Sequence, residues 1–283
     1  MRWLVTGSAG MLGTDLVDLL RERREHVSPL VRTDVDLHDP AAVARVVDGH
    51  DVVVNCAAWT RVDDAEEHEA DALEVNGTIP DILARAVAET PGRMVQVSTD
   101  YVFDGTATTP YPEDAPTAPG SAYGRTKAAG EEAVRTALPD RHHVVRTAWL
   151  YGAHGSCFPK TMAKLVRERG AVSVVDDQVG QPTWTADVAD LVVRLVLAGA
   201  PAGTYHATSS GRCSWFDLAR AVVAAAGLDE DAVTPTTSDA FVRPAPRPAY
   251  SVLGHDALVR AGVTPIGDWR ERWEAAAPSV LAT

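Results

Sequence analysis

Short apolar runs alternate with longer stretches of helical periodicity through the first half of this chain. Arg2–Thr6 has strand character, and Met11–Glu25 follows with Leu12, Leu16, Leu19 and Leu20 on one helical face. His26–Val31 reads as a second, weaker strand. Asp51–Asn55 reads as a third, nearly all apolar, as a parallel strand covered on both faces requires. Residues 64–89 carry a helical pattern interrupted near Gly77 and Pro80. Arg93–Ser98 is predicted as a fourth strand, 121–137 as a helix and His142–Thr147 as a further strand. Strand–helix alternation of this kind implies parallel pairing through right-handed crossovers, hence an α/β doubly wound sheet of Rossmann-like type.

Beyond Tyr151 the punctuation changes. Prolines and glycines become more frequent and the alternation less regular. Thr185–Leu197 and Ser214–Ala226 read as amphipathic helices, the second opening on a Ser214/Asp217 capping pattern and closing at Gly227. The expected division is a nucleotide-binding unit over 1–150, extended by 185–205, and a mainly substrate-binding lobe over 151–283. Residues 234–250 are proline-rich and read either as an ordered loop wrapping a ligand or as a plain surface loop.

Hydrophobic residues make up 46% of the chain and charged residues 23%, the balance of an ordinary globular protein. A formal net charge of −13 argues against a nucleic-acid binder, whose footprint would be basic. It leaves room for a phosphate-bearing ligand, because helix N-termini and single arginines capture anions locally. Cys56, Cys157 and Cys213 are odd in number and form no Cys-x-x-Cys pair, so neither a disulfide framework nor a zinc site is indicated. The chain opens straight into a strand-like run without the n- and h-regions of a signal peptide. No stretch reaches the ~18 consecutive apolar residues of a membrane span. The expectation is a soluble, cytoplasmic protein with no membrane or nucleic-acid partner.

Three motifs carry chemistry. Thr6–Gly13 holds Gly7, Gly10 and Gly13 between the first strand and the first helix. Gly7 suits a tight turn, Gly10 a close backbone approach to a pyrophosphate, and Gly13 close helix packing. Met11 and Leu12 complete this candidate cofactor loop. After the second strand an acid would suit the ribose 2′-hydroxyl of NAD and an arginine the 2′-phosphate of NADP. Arg32 leans the reading toward NADPH, unless it is simply a solvated loop residue; Asp36 and Leu37 are candidate adenine contacts. Cys56, Ala57 and Ala58, after the third strand, supply small side chains where a cofactor would lie against the sheet.

The second motif is Ser98-Thr99-Asp100 at the end of the fourth strand, the end at which open α/β sheets bind ligands. The third is Tyr123 with Lys127 on the following helix. Residues four apart share a helix face, so an ammonium is expected to lower the phenol's pKa and let it exchange a proton with a carbonyl or alcohol. Trp149 would stack on a sugar or serve as a core aromatic. The histidines show no metal-ligand spacing, and His206 reads as structural. The acids Asp63, Asp64, Glu66, Glu67 and Glu69 read as a solvated helix face.

These residues together resemble the extended short-chain dehydrogenase/reductase family, and within it the dTDP-4-dehydrorhamnose reductase branch. The resemblance runs nearly the full length. It includes Thr6–Gly13, Asn55–Thr60, Asp63 with Glu66, Ser98–Gly105, Tyr123–Lys127 with Glu131, Arg146–Tyr151, Asp177–Thr183, Gly203–His206 and Arg247–Ser251. It implies reduction of a dTDP-4-keto sugar by NADPH or NADH. Tyr123 would be the proton donor, Lys127 the residue that holds the nicotinamide ribose, and Thr99 the third member of the triad. Thr99, Asp100 and Trp149 fall on substrate-contacting positions, with Arg247 toward the diphosphate. Tyr101 stands where related dehydratases carry a glutamate, which leaves elimination chemistry without its base. A homodimer is also implied, and no metal ligand can be placed. Two alternatives remain: a 4-ketoreductase for another dTDP-deoxysugar of natural-product glycosylation, and a non-catalytic nucleotide-binding regulatory subunit.

Overall fold

The computed structural model describes residues 1–282. In chain order its elements are β1 (Arg2–Thr6), α1 (Met11–Glu22), β2 (His26–Leu30), α2 (Pro40–Val47), β3 (Val52–Asn55), α3 (Asp64–Glu67), α4 (Glu69–Leu73), α5 (Ile79–Ala88), β4 (Arg93–Thr99) and α6 (Ala122–Ala137). They continue as β5 (His142–Thr147), β6 (Leu150–Tyr151), α7 (Phe158–Arg169), β7 (Val172–Val175), β8 (Val179–Gly180), β9 (Thr183–Trp184), α8 (Thr185–Leu197) and β10 (Gly203–His206). The chain ends with β11 (Cys213–Ser214), α9 (Trp215–Ala225), β12 (Val233–Thr236), α10 (Asp256–Arg260) and α11 (Trp269–Val280).

Six strands form one parallel sheet in the order β10-β5-β4-β3-β1-β2. β3 is buried along its whole length, which accounts for its unbroken apolar sequence. β2 is the edge strand and is mostly exposed, so it tolerates Pro29, which has no N–H to give to a ladder. β1 and β3 lie side by side while their connections run to opposite faces, making a switch point where ligands of open sheets bind. One face of the sheet is covered by α1 and α8, whose Leu12, Leu16, Val188, Leu191 and Leu195 share a core with Val5, Val54 and Val145. The other is covered by α2, α5 and α6 through Val43, Leu83, Val87 and Val134.

The helical pattern expected over 64–89 is real but broken in a specific way. It divides at His68, and a π-helical turn over Glu74–Thr78, containing Gly77, precedes α5. Pro80 sits in the first turn of α5, where its missing N–H costs nothing. α8 occupies the predicted span, and α9 carries the predicted capping box between Ser214 and Asp217. The part beyond Tyr151 holds its own core, built from α7, α9 and α11 around Trp273, Val222 and Met162. It also returns α8 and β10 to the main sheet, where β10 pairs with β5. No helix among the described residues is long and apolar enough to cross a membrane.

Candidate active site

The glycine loop is shaped by contact with β3. Gly7 takes a positive φ of +63°, and a Cβ there would lie 2.6 Å from the Ala57 nitrogen. A side chain at residue 7 would therefore push β1 and the β3 exit apart. The Ser8 N–H donates to the Leu30 carbonyl at 3.2 Å and ties the loop to β2 as well. Gly10 caps α1 without any side-chain hydrogen bond, so no side chain competes for the N–H groups of that first turn, the arrangement an anion needs. Gly13 packs against the loop itself, its would-be Cβ 2.3 Å from the Gly7 carbonyl oxygen. Leu12 is buried in the sheet core, which leaves only its backbone to face a cofactor. Met11 is half-buried against Gly152.

At the second-strand exit Arg32 is exposed. The neighbouring acids are engaged: Asp34 accepts from the Val31 N–H and Asp36 from the His38 N–H. Leu37 packs against the core beneath α2 and α5. Across the strand ends runs a buried polar ladder. The Thr6 hydroxyl donates to Asn55 at 2.5 Å, and the Asn55 amide donates to Gln96 at 2.9 Å. It aligns the exits of β1, β3 and β4, with Cys56, Ala57 and Ala58 half-buried beside Gly7.

α6 carries Tyr123 and Lys127 to the same edge. Its N-terminus is held twice: Ser121 accepts from the Gly124 N–H, and Glu66 accepts from the Ala122 N–H at 2.8 Å. Gly124 lets the helix press on the turn after β4, since a Cβ there would lie 2.2 Å from the Tyr101 carbonyl oxygen. Asn76, in the π turn, accepts from the Trp59 N–H and donates to Thr126, stapling α6 to the β3 exit. Behind the site, Glu131 is wholly buried and accepts from Arg146 Nε and Nη2 at 2.9 and 2.8 Å and from the Ser98 hydroxyl at 2.5 Å, while Arg146 Nη1 donates to the Glu113 carbonyl. This network joins α6, β4 and β5.

Within that frame Thr99, Tyr123 and Lys127 come together. Lys127 is buried and donates to the Val97 carbonyl at 2.6 Å. Burial lowers its pKa to about 8, against the raising influence of Glu131 and Cys56. Burial also pushes the Cys56 thiol up to about 12. Tyr123 departs from expectation: its phenol is raised to about 12, chiefly by burial, with the Thr99 hydroxyl lowering it and Asp100 raising it further. Lys127 is not among the groups that shift it, and its ammonium donates to the strand carbonyl.

The substrate side brings one further correction. Trp149 is not free to stack on a sugar. Its indole stacks on Trp215 with centroids 3.6 Å apart, and a Cβ on Gly180 would lie 2.4 Å from the indole, so both faces are covered. Arg247 borders the crevice and is held there by two of its N–H groups, which donate to Asp63 at 2.9 Å and to the Ala245 carbonyl at 2.9 Å. Asp100 is buried; burial raises its carboxyl to about 6, while the Ser251 and Thr99 hydroxyls pull the other way. Thr99 donates to Asp100 Oδ1 at 2.9 Å.

The acidic run after β3 is the main functional feature that sequence reading missed. Asp63 holds Arg247, Glu66 caps α6, and Glu69 forms a two-pronged pair with Arg125 at 2.8 and 2.7 Å. The run is therefore a solvated face in part, with Glu67 exposed and Asp64 paired to nearby Arg61. Asp63, Glu66 and Glu69 reach partners 56 or more residues away that no local spacing reveals. The available signal was position, directly beyond a strand's carboxyl end. Among the described residues no group of three or more His, Cys, Asp or Glu could hold a metal ion.

Comparison with known proteins follows this geometry. Residues 1–281 match the family model described as RmlD substrate binding domain. The chain is 51% identical over 283 residues to a dTDP-4-keto-6-deoxy-D-glucose reductase of Streptomyces niveus, covering 99% of this chain and 98% of that one. It is 51% identical over 275 residues to a dTDP-4-dehydrorhamnose reductase of Streptomyces griseus, covering 95% and 90%. The crystal structure of dTDP-4-dehydrorhamnose reductase from Bacillus anthracis, in complex with NADP, superposes with a TM-score of 0.92 at 34% identity, covering 97% and 98% of the two chains. Full-length agreement of sequence and fold places this chain in the RmlD substrate binding domain family.

Proposed function

We propose that this protein is an NADPH-dependent reductase of the 4-keto group of a dTDP-4-keto-6-deoxy sugar, with dTDP-4-dehydro-β-L-rhamnose, reduced to dTDP-β-L-rhamnose, as the first candidate. The observation that carries the reading is the meeting of Thr99, Tyr123 and Lys127 at the β4 exit, beside a glycine loop whose helix N-terminus is uncapped by any side chain. When bound, the dinucleotide supplies the hydride. The loop of Gly7, Gly10 and Gly13, with Met11 and the Leu12 backbone, would hold its pyrophosphate, and Cys56, Ala57 and Ala58 its nicotinamide half.

Tyr123 gives its proton to the developing C4 oxyanion. A phenol raised to about 12 stays protonated at neutral pH, as the acid of a reduction must. The Thr99 hydroxyl would donate to the same oxygen on turning from Asp100, to which it donates in the free protein. Lys127, already fixed on the Val97 carbonyl, offers its remaining N–H groups to a ribose. Arg32 is exposed and would bond a 2′-phosphate. Arg247 faces the diphosphate. The cytoplasm as site of action and a homodimeric state belong to the same reading, the first supported by three free cysteines.

A second sugar stands beside the first on one observation: identity to the Streptomyces niveus dTDP-4-keto-6-deoxy-D-glucose reductase equals that to the Streptomyces griseus enzyme. The test is NADPH oxidation with dTDP-4-dehydrorhamnose made in situ, run against dTDP-4-keto-6-deoxy-D-glucose. Turnover of either assigns the substrate, and oxidation with neither overturns the reading. NADH in parallel, with Arg32→Ala, tests the cofactor. Equal use of both by the wild type places Arg32 in solvent.

A further inference from the structure

The proline-rich strap over residues 243–250 is fastened to the first half of the chain at two points. One is steric: Gly105 backs onto Pro248, where a Cβ on residue 105 would lie 2.5 Å from the proline ring, and the Tyr250 N–H donates to the Gly105 carbonyl. The other is Asp63. Its Oδ1 accepts the Ala245 N–H at 3.3 Å, its Oδ2 accepts Arg247 at 2.9 Å, and Arg243 stands 4.0 Å away. One carboxylate thus accepts two hydrogen bonds from a single short stretch, across more than 180 positions of sequence, with the Arg243 charge nearby.

The arrangement leaves Arg247 oriented but unsaturated. One terminal nitrogen is bonded to Ala245 and the other to Asp63, which fixes the guanidinium plane and leaves its Nε–H and remaining N–H groups unused. The same arginine borders the crevice lined by Tyr101, Ser121 and Pro246. Tyr101 in turn packs edge-on against Tyr123 with centroids 5.6 Å apart. We propose that Asp63 is a positioning residue: it holds Arg247 in the conformation that receives the diphosphate of the sugar nucleotide. A free arginine loses much rotamer entropy on meeting an anion, and a pre-oriented one loses less. The proposal rests on the proposed function, because it takes the diphosphate as the anion.

The test is a double-mutant cycle read by dTDP binding, with NADPH binding measured in parallel. Asp63→Ala is expected to weaken dTDP about three- to tenfold, the effect of releasing one ordered side chain. In the Arg247→Ala background the same change should have no effect, and NADPH affinity should hold throughout. Asp63→Asn, which keeps an oxygen for the Ala245 N–H and removes the charge that holds Arg247, gives the same reading if the alanine variant is unstable. An equal loss in both backgrounds, or none in either, overturns the positioning role while leaving the reductase reading intact. A wild type that binds NADPH and not dTDP overturns both.

Discussion

At the scale of single residues the decisive quantity is what burial does to Tyr123 and Lys127. A phenol is neutral at pH 7 even at its ordinary pKa, and burial raises that of Tyr123 further, so its proton is retained well into the alkaline range. Tyr123→Phe should therefore leave NADPH binding intact and lower kcat by about 10²–10⁴-fold, the usual contribution of a general acid. Wild-type turnover by the phenylalanine variant would remove Tyr123 from the mechanism. Lys127 points to a pH effect of definite sign. Its pKa of about 8 means that the ammonium is present below that pH and lost above it. kcat/KM for NADPH should accordingly fall as pH rises through about 8. Arginine does not deprotonate in this range, so Lys127→Arg should keep residual activity without that basic limb. A limb that persists in the arginine variant belongs to another group.

At the scale of elements, the site depends on how closely α6 approaches the turn after β4. Gly124 permits it, and Gly124→Ala would set a methyl 2.2 Å from the Tyr101 carbonyl. Overpacking of this kind costs about 1–3 kcal/mol, here by moving Tyr123 away from Thr99. The expected result is a lower Tm together with a fall in kcat larger than the stability loss explains. Gly267→Ala, where the new methyl meets only Arg272 Cδ at 3.5 Å, is the control. Thermal unfolding and steady-state kinetics on the pair decide it. The spacing of Tyr123 and Lys127 was visible along the chain, but their chemistry was not. Sequence shows that two residues share a helix face; only the position of the Val97 carbonyl shows where the ammonium goes.

At the scale of the whole molecule, the parts of the chain before and after Tyr151 are not independent. α8 and β10 leave the second half of the chain to complete the main sheet and its core. Residues 1–150 alone would expose β5 as a bare edge and strip α1 of the buried face of α8. Such a fragment should fail to fold cooperatively, and a sharp thermal transition with native-like circular dichroism would show otherwise. The buried Glu131–Arg146 pair extends the same dependence to pH. Burial raises the Glu131 pKa, but Arg146, Ser98 and Arg135 together bring it below its ordinary value. Its contribution is present above the ordinary carboxylate range and is lost as pH falls, when protonation leaves Arg146 buried and unpaired.

What the sequence determined by itself was the set of local features. Strand and helix periodicity, the glycine loop, the capping box of α9 and the Tyr123/Lys127 spacing all depend on residues within a few positions of one another. The main strands and α8 and α9 lie where the pattern put them, whereas 64–89 divides into several helical pieces and α2 was not marked by it. The parallel sheet was legible because strand–helix alternation admits few other arrangements. What only the tertiary structure decided was every pairing made across long separations. Asp63 with Arg247, Glu66 with the N-terminus of α6, Trp149 between Trp215 and Gly180, and Lys127 on a strand carbonyl are of this kind. A charge or a ring carries no mark in sequence of the partner that will neutralise or cover it. Desolvation, which sets the protonation states of Tyr123 and Lys127, is a property of the packed molecule alone.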